Sequence, residues 1–143
     1  MKLAPFALAL ALPLALPLAP GTAAAEEPAT IAVELNKLET DGGSCQSYLV
    51  VDNAINAPFD KLVLDLVLFD AEGIIARRLA VDVAPLRAGR QSVKVFAIPQ
   101  LACEGIGRIL VNGVLGCTSE GAPVDGCVER IETTSRAPVE LIF

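Results

Sequence analysis

Cys45, Cys103, Cys117 and Cys127 are the residues whose chemistry decides most about this chain. Four cysteines suit redox cycling, zinc binding or structural cross-linking. Redox cycling wants a thiol of lowered pKa in a close pair such as C-x-x-C, and no two cysteines here stand that near. A four-cysteine zinc site shows two knuckles of short spacing, which these wide, irregular gaps do not provide. Two structural disulfides remain, with three connectivities allowed. The preferred one joins Cys45 with Cys103 and Cys117 with Cys127. The second pair brackets Thr118 to Gly126, a turn-rich stretch that readily brings its ends together. The first ties an early strand to a late one.

Histidine is absent from all 143 residues. Ser-His-Asp and Cys-His mechanisms and most catalytic zinc sites need an imidazole, so those classes are excluded. Carboxylates are the acid–base groups left, and Asp65, Asp70, Glu72, Asp82 and Glu104 would have to converge across a cleft for glycosidase-type chemistry. Nothing in their spacing brings them together, and positions in turns and on solvated strand faces account for them. Asp52, Asp60 and Asp70 sit in or beside turns without the acidic ladder of a calcium loop. Gly105-x-Gly107 lacks the third glycine, the lysine and the following helix of a phosphate-binding loop, so turn geometry explains it. No catalytic, cofactor-binding or metal-binding residue is assigned.

The positions of the cysteines matter because of where the chain is expected to fold. Lys2, the apolar run Leu3 to Leu18 and Ala23-Ala24-Ala25 before Glu26 have the layout of a cleaved secretion signal over 1–25. Pro5, Pro13, Pro17 and Pro20 interrupt the run, which is short of the ~20 residues a spanning helix needs. The mature chain, 26–143, is then a single soluble domain of about 118 residues, periplasmic or secreted, with no stable membrane insertion after cleavage. That compartment is oxidising and keeps cysteines paired. With Lys2 removed, ten basic side chains face seventeen acidic ones. An acidic balance serves solubility. With no basic run, one tyrosine and no tryptophan, nucleic acid is not an expected partner.

Period-two alternation runs through most of the mature sequence. Ile31, Val33 and Leu35 alternate with Ala32, Glu34 and Asn36, and Cys45 to Asp52 reads as a second strand after the Asp41-Gly42-Gly43-Ser44 turn. Leu62 to Phe69 is apolar on both parities except at Asp65, which fits a central strand better than a helix given its short length and the Asp70-Ala71-Glu72-Gly73 turn. Ile74 to Val83 returns from that turn, and Ser92 to Ile98 follows the break at Ala84 to Gly89. Arg108 to Val111 leads to Asn112-Gly113, a hairpin signal, and then to Val114 to Cys117. Val139 to Phe143 closes the chain as an edge strand, since Pro138 and the few aromatics do not suit a membrane barrel. The pattern predicts an all-β antiparallel sandwich. Its expected core is Val33, Leu35, Leu49, Val51, Leu62, Leu64, Leu66, Leu68, Leu79, Val81, Val93, Val95, Ile109 and Val111.

Asn53 and its loop, then Leu66 to Gly73, then Pro85-Leu86-Arg87-Ala88-Gly89 before a new strand, resemble the bacterial secreted immunoglobulin-like domains of the FxLYD type. Leu66 stands where that group has its first phenylalanine, and Phe69 replaces its tyrosine. The resemblance implies an immunoglobulin-like sandwich that serves as an accessory or binding domain of the cell envelope, and it carries over no catalytic residue. The expected function is therefore a non-enzymatic module that binds another envelope protein, by a sheet face or by strand addition. Val63, Val67 and Phe69 form the candidate interaction face. The alternatives are a small-ligand or carbohydrate-binding module, against which the absence of tryptophan counts, and a carboxylate-based hydrolase.

Overall fold

A computed structural model of the chain describes Gly21 and residues 24–143. The leader read over 1–25 lies almost wholly outside the described residues. The described residues form nine strands: β1 (Ile31–Asp41), β2 (Ser44–Asn53), β3 (Lys61–Phe69), β4 (Ile75–Asp82), β5 (Arg90–Ile98), β6 (Arg108–Ser119), β7 (Ala122–Pro123), β8 (Ile131–Ser135) and β9 (Glu140–Ile142). Two short 3-10 turns, Cys103–Gly105 and Val128–Arg130, accompany them, with no α-helix among the described residues. No described helix is long and apolar enough to cross a membrane.

Alternation sets each strand's faces. In β2, Cys45, Ser47, Leu49, Val51 and Asn53 are buried while the residues between them are half-buried. In β3, Leu62, Leu64, Leu66 and Leu68 all point into the core at 0–1% exposure. A helix would have scattered those four leucines around its circumference; a strand puts them on one side. Burying each such side chain contributes roughly 1.5–3 kcal/mol.

The strands form two sheets, β5-β2-β1-β8 and β4-β3-β6, with β7 and β9 sharing the far side of β6. A common core of buried side chains from both sheets lies between them, as a sandwich requires. The pairs β1–β2, β2–β5, β3–β4, β3–β6 and β6–β7 are antiparallel, but β8 adds parallel to β1 and β9 parallel to β6. A change of sheet produces the parallel edges. β8 runs beside β1, the amides of Arg136 and Ala137 both donate to the Leu35 carbonyl, and the chain continues onto the second sheet as β9. Both expected disulfides are present, Cys45–Cys103 and Cys117–Cys127.

Two expectations are corrected. Asn112-Gly113 is not a hairpin turn: β6 passes straight through it and stays paired with β3 from Arg108 to Thr118. Gly113 lacks the positive φ that a two-residue hairpin turn demands. The register instead shifts on both sides of Val114, so Asn112 and Leu115 are absorbed as bulges. Val93 and Val95, expected in the core, are 65% and 46% exposed. β5 pairs with β2 so that Phe96 lies opposite Ser47 and Ile98 opposite Cys45. Residues directly opposite share a face, so Ser92, Lys94, Phe96 and Ile98 turn inward and the valines turn out.

Gly107 shows how closely the β3–β4 turn packs on the start of β6. Its N–H donates to the Phe69 carbonyl at 2.7 Å, and an added Cβ would lie 2.4 Å from the Asp70 carbonyl oxygen. Neither backbone can retreat without losing that bond. Gly107→Ala is expected to lower the unfolding free energy by about 2–3 kcal/mol in urea titration, whereas Gly113→Ala, with open space around it, shifts it by under about 0.5 kcal/mol. Equal effects would refute the close-approach explanation.

Candidate functional site

The five carboxylates considered for catalysis are dispersed and mostly committed to structure. Asp70 accepts from the amides of Glu72 and Ile74 and holds its own turn. Asp82 accepts from the amides of Leu62 and Ala84. Glu104 reaches Thr40 at 3.5 Å. No two of the five share a hydrogen-bond partner among the described residues, and no three His, Cys, Asp or Glu side chains there are placed to hold a metal.

Among the described residues Asp65 is the buried charge, 3% exposed on the outer face of β3. Arg78 of β4 grips it with two hydrogen bonds of 2.8 and 2.7 Å, and the bulged Asn112 adds a third of 2.7 Å. The Arg78 and Asn112 hydrogen bonds lower its pKa from 3.8 to about 2. As pH falls, the unfolded chain takes up its proton near 3.8 while the folded carboxylate holds out to about 2, so acid favours unfolding across that window. The contribution is complete above 3.8 and lost below about 2. Melting temperatures of Asp65→Asn are therefore expected to fall less steeply across this window than those of the parent. An unchanged slope would assign the acid sensitivity to other carboxylates.

This buried pair also shapes the face sequence analysis singled out. Val63, Val67 and Phe69 do lie together on the outer side of β3, but Val67 is only 8% exposed and the other two are half-buried. Arg78 crosses the face to reach Asp65, and the Arg108 guanidinium sits 4.4 Å from the centre of the Phe69 ring. Long basic side chains cover apolar surface in this way while keeping their charge in water.

Exposed apolar side chains occur singly at Ile75, Leu115 and Phe143, and side by side on the outer face of the other sheet. Val93 and Val95 of β5 stand opposite Val50 and Tyr48 of β2, and the next strand places Glu34 and Lys37 opposite those two. The result is an apolar patch at the sheet edge with a polar border. Lys37 lies 5.2 Å from the centre of the Tyr48 ring. Alongside, Glu34, Asn36, Asp52, Gln91, Thr134 and Arg136 line a shallow concavity of about 360 Å³. Its polar groups already hold one another: Asn36 and Arg136 each donate to the Glu34 carboxylate at 2.9 Å, and Gln91 donates to Asp52 at 3.0 Å. The Asn36 and Arg136 hydrogen bonds keep Glu34 below its ordinary pKa, and so ionised. With the polar groups paired among themselves, what this face leaves open is the apolar surface of Val93 and Val95.

The fold is similar to that of IrmA from Escherichia coli. The two superpose with a TM-score of 0.54 over 74% of this chain and 92% of the other, at 15% sequence identity. At that identity the likeness is one of fold. No family model matches the chain, and no curated protein matches it. The patch at Tyr48, Val50, Val93 and Val95 escaped sequence analysis because alternation reveals that Val93 and Val95 share a side, and only the register with β2 tells which side.

Proposed function

We propose that this protein is a non-enzymatic accessory module of the periplasm or cell exterior that binds another envelope protein through the outer face and edge of β5. The observation that carries this is the inverted polarity of β5 from Ser92 to Val95, before Phe96 and Ile98 return to the core. An edge strand of a freestanding sandwich is expected to turn its apolar side inward; here Lys94 and Ser92 point between the sheets while Val93 and Val95 face solvent beside Tyr48 and Val50. Exposed apolar patches with a polar border mark protein interaction sites. Two disulfides fit an oxidising, extracytoplasmic setting. The resemblance of Asn53, Leu66 to Gly73 and Pro85 to Gly89 to envelope sandwich domains supports the same role.

The test is a photo-crosslinking residue at position 93 or 95 of the secreted protein in intact cells, with position 67 on the opposite sheet as control. One envelope protein, captured reproducibly from 93 and 95 and not from 67, is expected. Capture of nothing above background from either β5 position refutes the proposal. A small polar ligand is the second reading, motivated by the concavity beside the patch. Calorimetric titration of a sugar panel, with Arg136→Ala as control, tests it.

A further inference from the structure

Building on that interaction-face reading, we infer that the edge of β5 accepts an extended, acidic segment of a partner polypeptide, which adds as a fifth strand to the sheet. The molecule's edges are unequal. On β6, the stretch between its β9 and β7 pairings is flanked by the Val124 to Glu129 segment, which Cys117–Cys127 ties down. β8 offers five residues and β4 eight. β5 offers nine, paired on one side to β2 and unpaired on the other, with the apolar patch on its outer face. Strand addition uses these elements, main-chain hydrogen bonds for affinity and alternate side chains for selection.

Charge decides which strand suits. Arg77 and Arg78 of β4, Arg87 of the loop that follows, and Arg90 and Lys94 of β5 have only Asp82 among them in sequence, whereas the rest of the chain holds six basic and sixteen acidic residues. Arg78 is taken by Asp65, and Asp82 is occupied by two backbone amides. Among the described residues, Arg77, Arg87, Arg90 and Lys94 have no carboxylate within ion-pair distance. Arg87 and Arg90 line a cavity of about 370 Å³ with Pro85, Gln91 and Ser92 at the foot of β5. That cavity receives the incoming carboxylates. An inward-pointing lysine on an edge strand also discourages pairing with neutral strands, a common safeguard against aggregation. An acidic strand meets no such obstacle.

Selection of random nine-residue displayed peptides on the tagged mature protein tests this. Enriched peptides are expected to be acidic with β-branched residues at alternate positions. They should weaken at least tenfold against R87E/R90E, lose affinity as salt rises, and protect from exchange the β5 amides that do not bond to β2. Arg87 and Arg90 are exposed, and melting curves of R87E/R90E and of R87A/R90A verify that both variants fold. Neutral or basic peptides that lose binding on Val93→Lys but not on R87E/R90E would overturn the acidic-strand inference and leave the interaction face standing. Binding indifferent to both substitutions, or no enrichment, counts against both. Self-association abolished by R87E/R90E, or capture of phosphatidylglycerol vesicles without amide protection, would make the occupant a second copy or an anionic surface and overturn the inference.

Discussion

Replacing Cys45 and Cys103 together by alanine is expected to lower the unfolding free energy by about 4 kcal/mol, against about 2.7 kcal/mol for Cys117 and Cys127, on the chain-entropy model. The difference comes from the loops closed: 58 residues separate the first pair and 10 the second. The first loop contains nearly all of β2 and the whole of β3, β4 and β5, so its bridge restrains both sheets in the unfolded chain. Cys45 is fully buried in the core, and its truncation adds a small packing loss in the same direction. A domain of this size commonly holds only about 5–15 kcal/mol in total, so the long bridge accounts for a large share. Urea unfolding of the two double variants under non-reducing conditions measures both losses. A greater loss from the short bridge would mean that its clamp on β6 matters more than the entropy of the long loop.

The second large effect is expected at Asn53, at the end of β2. Its side chain is fully buried; the amide nitrogen donates to the carbonyls of Ala57 at 2.9 Å and Arg87 at 3.1 Å, and the amide oxygen accepts from the Ile55 amide at 3.1 Å. One residue thereby joins the β2–β3 loop to the loop that enters β5. Truncation leaves two carbonyls and an amide without their partner at a buried side-chain site, and Asn53→Ala is expected to cost about 3 kcal/mol in urea unfolding. Asn53→Asp should be no better, since it presents a carboxylate to two carbonyl oxygens. The damage should be local as well. Phe59 and Leu86 exchange backbone hydrogen bonds of 2.8 Å across the same two loops, and their amides should exchange faster in the variant. A loss below about 1 kcal/mol would show that water replaces the amide.

Asn53 illustrates what was readable in advance. Sequence analysis puts it at the head of a loop, and the structure shows what the amide does there: two donors and an acceptor at one loop junction. The same holds for Asp70, whose carboxylate closes the turn before Gly73. Asn112-Gly113 had equally clear local signals and they misled. A hairpin there would have ended β3's pairing halfway, and β3 supplies partners all along β6, so the longer ladder prevails over the local turn preference.

From the sequence alone come the strand composition, the preferred pairing of the cysteines and 11 of the 24 buried core residues, because alternation and turn residues are local properties that survive in one dimension. Leu62, Leu64, Leu66 and Leu68 need only their own period to share a face. Which strand meets which, and so which face meets water, was decided by the tertiary structure. Val63, Val67 and Phe69 form an apolar row in one dimension, yet Arg78 and Arg108 arrive over it from β4 and β6. Val93 and Val95 look like core until pairing with Ser47 and Cys45 through Phe96 and Ile98 turns them outward. The candidate surface is a product of register, which long-range pairing sets and a one-residue shift would reverse.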